Sequence, residues 1–269
     1  MEFLRLLAGT VLLRPYVFMF LAAHLTVGSL YFGWRRILLF TVWAYVIAWC
    51  SEFSSIHNGF PYGLYYYIDT TRSQELWVFG VPFMDSLSYS FLALFSYHTA
   101  VFLISPTAME NGRIVSRQTP RLRYSLWTAL FAALLMVFLD ILTDPVAHEG
   151  EKWFLGKIYD YENDGYFFHI PQSNFGGWFL VAITIIGGFL IIDRKWLNGK
   201  YLPEYPASEK LFQPVLGILC YMSVIAFNVC VAFMIREYQL AFTELYFFLL
   251  FAIFSAVCTA KGVLSSNEK

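Results

Sequence analysis

Seven apolar runs divide the chain. Each is long enough to cross a hydrocarbon core of about 30 Å, which takes about 17–25 helical residues. The pattern places them at about Tyr16–Phe32, Ile37–Ser55, Val78–Ile104, Tyr124–Ala147, Gly177–Asp193, Gln213–Ile235 and Ala241–Ala260. Helices are expected throughout, because a helix satisfies its own backbone donors and acceptors where no water reaches. The predicted architecture is an all-α integral membrane protein, a bundle of about seven transmembrane helices forming a single domain over residues 1–269. Two of the runs lie near the lower length limit; if they are re-entrant, the count of crossings falls to six. The first run continues to Gly33 without a small-residue cleavage motif, so it is expected to be a retained span.

Composition supports this pattern. The chain is 58% hydrophobic and 20% aromatic, with 14% charged residues, against about 45–50% apolar and about 25% charged in soluble domains. Its net charge of −1 offers no basic face for nucleic acid. The four cysteines, Cys50, Cys220, Cys230 and Cys258, all lie in apolar runs without CxxC spacing, and read as small core or lipid-facing residues. Charge asymmetry predicts an orientation. Of the 18 basic residues, six (Arg5, Arg14, Arg72, Lys152, Lys157, Arg236) fall on the side of the N-terminus, and the remaining twelve on the other. The positive-inside rule then puts the C-terminus in the cytoplasm and the N-terminus outside, in a multi-pass protein of the cell's inner membrane.

Under this topology, acidic side chains from three spans converge at one depth. Glu52 and His57 fall at the outer end of the second span, and Asp85 near the outer start of the third. Asp140 and Asp144 end the fourth, and Asn174 precedes the fifth. Arg236 and Glu244 flank the last outer turn. Ionisable residues inside membranes usually face a bundle interior or a water-filled cavity. A single acid near a span end is equally well explained as an interfacial residue in water. Asp140 and Asp144 are harder to explain so, since four-residue spacing puts them on one helix face, about 5–6 Å apart, where like charges resist joint ionisation. His24 and His98, on apolar stretches away from the acids, read as hydrogen-bonded core histidines. The Tyr65-Tyr66-Tyr67 run reads either as an interfacial belt, the favoured reading, or as the lining of a substrate channel. Asn58-Gly59 and Pro61-Tyr62-Gly63 are turn signals.

Several chemistries are excluded. Neither GxxxxGK[ST] nor GxGxxG occurs. The five histidines form no HxxxH or HxxHH clusters of the kind a membrane di-iron site needs, and no metal or other cofactor is expected. No lysine inside a span is available for a Schiff base. What remains is carboxylic acids among aromatics, which suits proton-initiated chemistry on an apolar molecule. An acid in a low-dielectric pocket stays protonated, and aromatic faces stabilise a developing carbocation. Pro145, directly after Asp144, is expected to end or kink the helix there.

These residues carry a resemblance. Glu52…Gly59-Phe60-Pro61-Tyr62-Gly63…Tyr65 and Gly80-Val81-Pro82 are similar to the membrane-integral carotenoid biosynthesis proteins whose characterised members are carotenoid 1,2-hydratases. So are Leu139-Asp140…Asp144-Pro145, Gly165-Tyr166-Phe167…Ile170-Pro171 and Asn174-Phe175-Gly176-Gly177-Trp178. The matching segments run from about the second span to the fifth, roughly half the chain. The resemblance implies a cofactor-independent hydro-lyase that adds water to the terminal isoprenoid double bond of a linear carotenoid or other apolar isoprenoid, with water and membrane lipids as its other partners. Asp140 and Asp144 are then the expected acid pair, one protonated and its partner holding it by sharing the proton. Glu52, with His57, is expected to deprotonate the attacking water, which Asp85 and Asn174 orient. Tyr62, Tyr65, Tyr166, Phe175 and Trp178 are expected, with Asn174, to contact substrate. The alternatives are a lycopene cyclase or other proton-initiated isoprenoid enzyme, a non-enzymatic carotenoid or lipid carrier, and a proton-coupled transporter using the same acids as a relay.

Overall fold

The structure, a computed structural model, describes residues 1–110, 113–154, 156–163, 165–197 and 213–267. Seven helices are long and apolar enough to cross a membrane: Pro15–Phe32 (α2), Trp34–Asn58 (α3), Phe83–Ile104 (α4), Leu126–His148 (α6), Gln172–Trp196 (α7), and the segments Val215–Met234 of α8 (Gln213–Met234) and Tyr238–Val263 of α9 (Tyr238–Asn267). The protein is a multi-pass, all-α membrane bundle, and each of the seven predicted runs has a helix of at least 18 residues. Two helices escape the hydrophobic pattern because they do not cross. They are α1 (Glu2–Leu13), joined to α2 at Arg14, and the single turn α5 (Pro120–Arg123), capped by the Thr119 side chain. Lys200, Lys210 and Lys269, three of the twelve basic residues assigned to one side, lie outside the described residues.

The centre of the bundle is α4. It is flanked by α2, α3, α6, α7 and α8, and 83% of its most apolar window is buried. Among its small and hydroxylated residues, Ser90 returns its hydroxyl to the Leu87 carbonyl at 2.7 Å, whereas the buried hydroxyls of Ser96 and Thr99 have no hydrogen-bond partner among the described residues. On α3 the buried positions Ile37, Phe40, Ala44, Ala48, Glu52 and Ser55 form one stripe at helical spacing, so Glu52 sits on the packed face. Gly33 and Gly59 close α2 and α3 with φ of 83° and 79°, a backbone region that glycine enters without steric cost.

The third predicted run requires a boundary correction. Val78 was expected to begin it, yet Trp77–Val78 (β2) and Val81–Pro82 (β3) form a hairpin, and α4 starts at Phe83. Phe79 and Gly80, both at positive φ, make the two-residue turn that such a hairpin needs. Conversely, Pro145 neither ends nor breaks α6, which continues to His148. Two further strand pairs lie at opposite ends of the bundle. Thr107–Glu110 (β4) pairs with Arg113–Ser116 (β5) beside α9, and Tyr65–Tyr67 (β1) pairs antiparallel with Tyr159–Tyr161 (β6). The latter joins the α3–α4 loop to the α6–α7 loop as a lid over the end of the bundle where α3 and α6 finish and α4 and α7 begin.

Candidate active site

Beneath this lid, three helices bring four carboxyls together. Glu52 is 2% exposed and accepts a hydrogen bond from Ser86 of α4. Asp85, one residue earlier on α4, accepts from Tyr67 Oη at 2.7 Å. On α6, Asp140 is 1% exposed and accepts from Asn174 Nδ2 at 2.9 Å. The same amide nitrogen donates to Asp144 at 3.1 Å. Asp144 also accepts from Tyr161 Oη at 3.0 Å and from Tyr159 Oη. The four-residue spacing therefore places Asp140 and Asp144 on one face, and the amide of Asn174 links them.

The alternation of a strand explains the tyrosines. Tyr65 and Tyr67 turn inward while Tyr66 is 51% exposed; opposite them Tyr159 and Tyr161 turn inward, and Asp160 faces out to Lys157 at 2.7 Å and His148 at 3.1 Å. Tyr65 and Tyr67 thus line the site instead of forming a belt, and only Tyr66 has the exposure that the favoured reading required. Burial, with the nearby carboxyls adding to it, pushes the phenols of Tyr62, Tyr65, Tyr67, Tyr159 and Tyr161 well above their usual range. They remain protonated, so each is available as a donor.

A close approach positions the remaining aromatics. A Cβ on Gly177 of α7 would meet the Pro61 carbonyl oxygen at 2.7 Å and the Tyr62 ring at 2.6 Å, so only glycine lets the 61–63 turn rest on this helix. Ser173 Oγ fixes the turn by donating to the Tyr62 carbonyl at 2.9 Å, and the Tyr62 hydroxyl meets Ser51 at 2.9 Å. One turn along, Trp178 stacks on Tyr89 with centroids 4.4 Å apart.

Two cavities meet at these groups. A polar chamber of about 50 Å³ is lined by Glu52, Asp85, Asp144, Asn174 and the ring of tyrosines. An apolar chamber of about 130 Å³ lies between α2, α4, α6 and α8, walled by residues such as Phe20, Leu92 and Val224. Asp85, Asp144, Tyr159 and Trp178 border both chambers, Asp140 only the apolar one, and Glu52 only the polar one. A proton donor facing an apolar space, beside a space with room for water, is what acid-initiated addition to an alkene requires.

Not every predicted residue joins them. His57 is exposed, with Nδ1 2.7 Å from its own Phe53 carbonyl; five residues beyond Glu52 put it about 140° around the helix. Tyr166 is fully exposed on the lid, and Phe175 packs on Phe167 outside both chambers. Glu244 is buried on α9 and borders neither chamber, and Arg236 is exposed. His24 bonds Thr41 at 2.8 Å as a core histidine should, while His98 packs against the ring of Tyr31 and its Nε2 has no hydrogen-bond partner among the described residues. The polar-chamber residues not singled out from the sequence are Tyr89, Tyr159 and Tyr161, with Ser86, which donates to Glu52. For Tyr159 and Tyr161 the signal was Tyr-x-Tyr spacing, which is the period of a strand. Among the described residues, no group of three His, Cys, Asp or Glu side chains is arranged to hold a metal ion.

No curated protein and no solved structure matches the chain. A family model described as carotenoid biosynthesis protein matches residues 5–256, which takes in the first span and the last two as well as every residue bordering the chambers. The chain belongs to the carotenoid biosynthesis protein family and takes part in carotenoid biosynthesis.

Proposed function

We propose that the protein is a carotenoid hydratase that adds water to the terminal isoprenoid double bond of a linear carotenoid. The observation that carries this reading is the junction of the two chambers, where carboxyls border an apolar space on one side and a polar, tyrosine-lined space on the other. In this reading the terminal isopropylidene group occupies the apolar chamber. Asp140 accepts a hydrogen bond from Asn174 and borders that chamber and not the polar one, so it is the acid. Its proton forms the new C–H bond with the alkene's π electrons and leaves a tertiary cation on the branched carbon. A water molecule in the polar chamber forms the C–O bond and gives its extra proton to Asp85, which borders both chambers. Return of that proton from Asp85 to the Asp140 carboxylate through water restores the starting acid, so the net change is addition of one water, without a redox partner. Asn174 holds the acid pair in register, a role that replaces the water-orienting one expected from the sequence. Asp144, with three donors converging on it, anchors Asn174 and the lid, and Glu52 orders water from the far wall.

A cyclase would share the acid but must keep water from the cation, and the polar chamber beside the alkene site argues for hydration. A carrier or transporter would use the same acids without changing the carotenoid. Expression in a lycopene-producing host separates these readings. The expected result is pigment heavier by one or two waters; pigment of unchanged mass would overturn the hydratase. The basic-residue asymmetry further supports an orientation with the lidded end outside and the C-terminus cytoplasmic. Labelling of a cysteine placed at Arg117 by an impermeant reagent from outside intact cells would reverse it.

A further inference from the structure

A second cavity lies at the opposite end of the bundle. It measures about 630 Å³ and is bounded by α8, α9, the end of α4 and the β4–β5 hairpin, with Leu219, Met222, Ala252, Ala256, Met109 and Ile114 among its walls. This volume is in the range of pockets that take whole small ligands, about 300–1,000 Å³, whereas the apolar reaction chamber, at about 130 Å³, is close to the roughly 150 Å³ that takes a single benzene. The chamber therefore has room for one end group of a long chain, and the rest of the molecule must lie elsewhere.

The two spaces are related through α8. At 3.6 residues per turn, Val224, Phe227 and Asn228 face the chamber, and Val215, Ile218, Leu219 and Met222 face the second cavity on the opposite side. The exposed positions Leu219, Ser223, Cys230 and Met234 form a stripe between those two faces. Phe227 stands at the chamber's α2–α8 boundary, stacked on Tyr16 at 5.3 Å and edge-on to Phe20 at 5.9 Å. A chain that left the chamber past Phe227 would meet this stripe, whose Leu219 borders the second cavity. From Asn228 to Val215 the path covers about 20 Å of helix at 1.5 Å per residue.

We propose that the second cavity is a distal subsite of the same enzyme, holding the far stretch of a long linear polyene whose end group is in the chamber. The inference rests on the hydratase reading for the identity of the substrate, and it makes the protein selective for long acyclic chains over short ones with the same isopropylidene end. The shared helix α8, which borders both spaces, together with a chamber too small for more than one end group, is the reason to assign the groove to substrate and not to an unrelated lipid.

The test uses the full chain in liposomes, with lycopene and a ten-carbon hydrocarbon carrying the same end group. Ala256→Phe and Ala260→Phe fill the groove at exposed positions, so folding is unaffected; Val224→Trp fills the chamber instead. Binding is read by displacement and by the polyene's absorption, and turnover by mass. The groove variants are expected to weaken lycopene binding tenfold or more and leave the short substrate within twofold, whereas the chamber variant weakens both. Groove variants that leave lycopene binding unchanged, or that weaken both substrates alike, overturn the subsite. Loss of long-chain binding in the groove variants, with no hydration by any form of the protein, supports the subsite and sinks the hydratase instead.

Discussion

Six carboxyls, buried or half-buried, divide into two kinds, and the division separates scaffold from site; Glu244, buried on α9 with no hydrogen-bond partner among the described residues, belongs to neither. Glu75 and Asp193 are clamped by arginines. Arg14 reaches Glu75 through Nη2 at 2.9 Å and Nε at 3.2 Å, and Arg36 reaches Asp193 at 3.1 Å. Both acids are fully buried. Their charges are neutralised locally, and they tie the α1–α2 corner to the 69–76 loop and α3 to α7. Glu52, Asp85, Asp140 and Asp144 are surrounded by hydroxyls, phenols and an amide, and none forms an ion pair among the described residues. A paired carboxylate has no proton to give, whereas a buried acid held only by neutral donors can change its protonation state at the lowest structural cost. Desolvated charge without a counter-ion is expensive in a membrane, so four such groups in one place indicate chemistry.

The largest expected effect breaks this contrast by chemistry. Asp140→Asn keeps the shape and the Asn174 contact but removes the proton, and general acid catalysis is typically worth about 10²–10⁴-fold. Hydration per folded molecule should fall by that amount, while Asp193→Asn leaves the rate per folded molecule near wild type. A fast Asp140→Asn enzyme would remove this residue from the mechanism. The second effect breaks the contrast by stability. Arg14→Leu strands the Glu75 carboxyl, and removing one member of a buried pair typically costs about 3–5 kcal/mol. Thermal unfolding in detergent should show that loss, with much of it recovered in the Arg14→Leu, Glu75→Leu double variant. Asp140→Asn, by contrast, should be neutral or stabilising. If both variants destabilise alike, the two kinds of acid are not distinct.

Much of this division was legible in the sequence, for reasons tied to particular residues. The seven spans follow from length and hydropathy alone, because lipid leaves the backbone no alternative to the helix. Asp140 and Asp144 were readable as a pair because helical spacing is fixed. Glu52 falls on the stripe of Ile37, Phe40, Ala44 and Ala48, and the same periodicity excludes His57. The lid was harder to read. Tyr65–Tyr67 and Tyr159–Tyr161 are more than ninety residues apart, and a three-residue strand has no pattern until its partner is known. Glu75 offered no sign that it was buried, since its partner Arg14 lies 61 residues away in what looked like a flank of the first span.

The third prediction sharpens the contrast within the site. Tyr67→Phe removes the donor to Asp85, and Tyr159→Phe one of the donors to Asp144. Hydrogen bonds to charged groups contribute about 1.5–3 kcal/mol, so each change is expected to slow hydration about tenfold to a hundredfold. Tyr66→Phe, on the outward face of the same strand, should leave the rate unchanged. Equal effects at positions 66 and 67 would mean that strand alternation does not decide which tyrosines serve the acids.

The smallest effect is one of pH, and its sign follows from the lid. Burial raises the phenols of Tyr62, Tyr65, Tyr67, Tyr159 and Tyr161, so the folded protein holds these protons more tightly than the unfolded chain, where a phenol titrates near 10. The stabilisation they contribute is fully present below about pH 10 and is lost as the pH climbs toward the folded values. Stability measured between pH 7 and 9 should therefore be flat with respect to these tyrosines. Above about pH 10 it should fall, less steeply in Tyr67→Phe, which has one fewer phenol to ionise. Ultraviolet titration should resolve a delayed class of tyrosines that ionises only as the lid opens. A single class titrating near 10 while the protein stays folded would show that the lid admits water freely, and the polar chamber would then be open to solvent and not a closed source of one water.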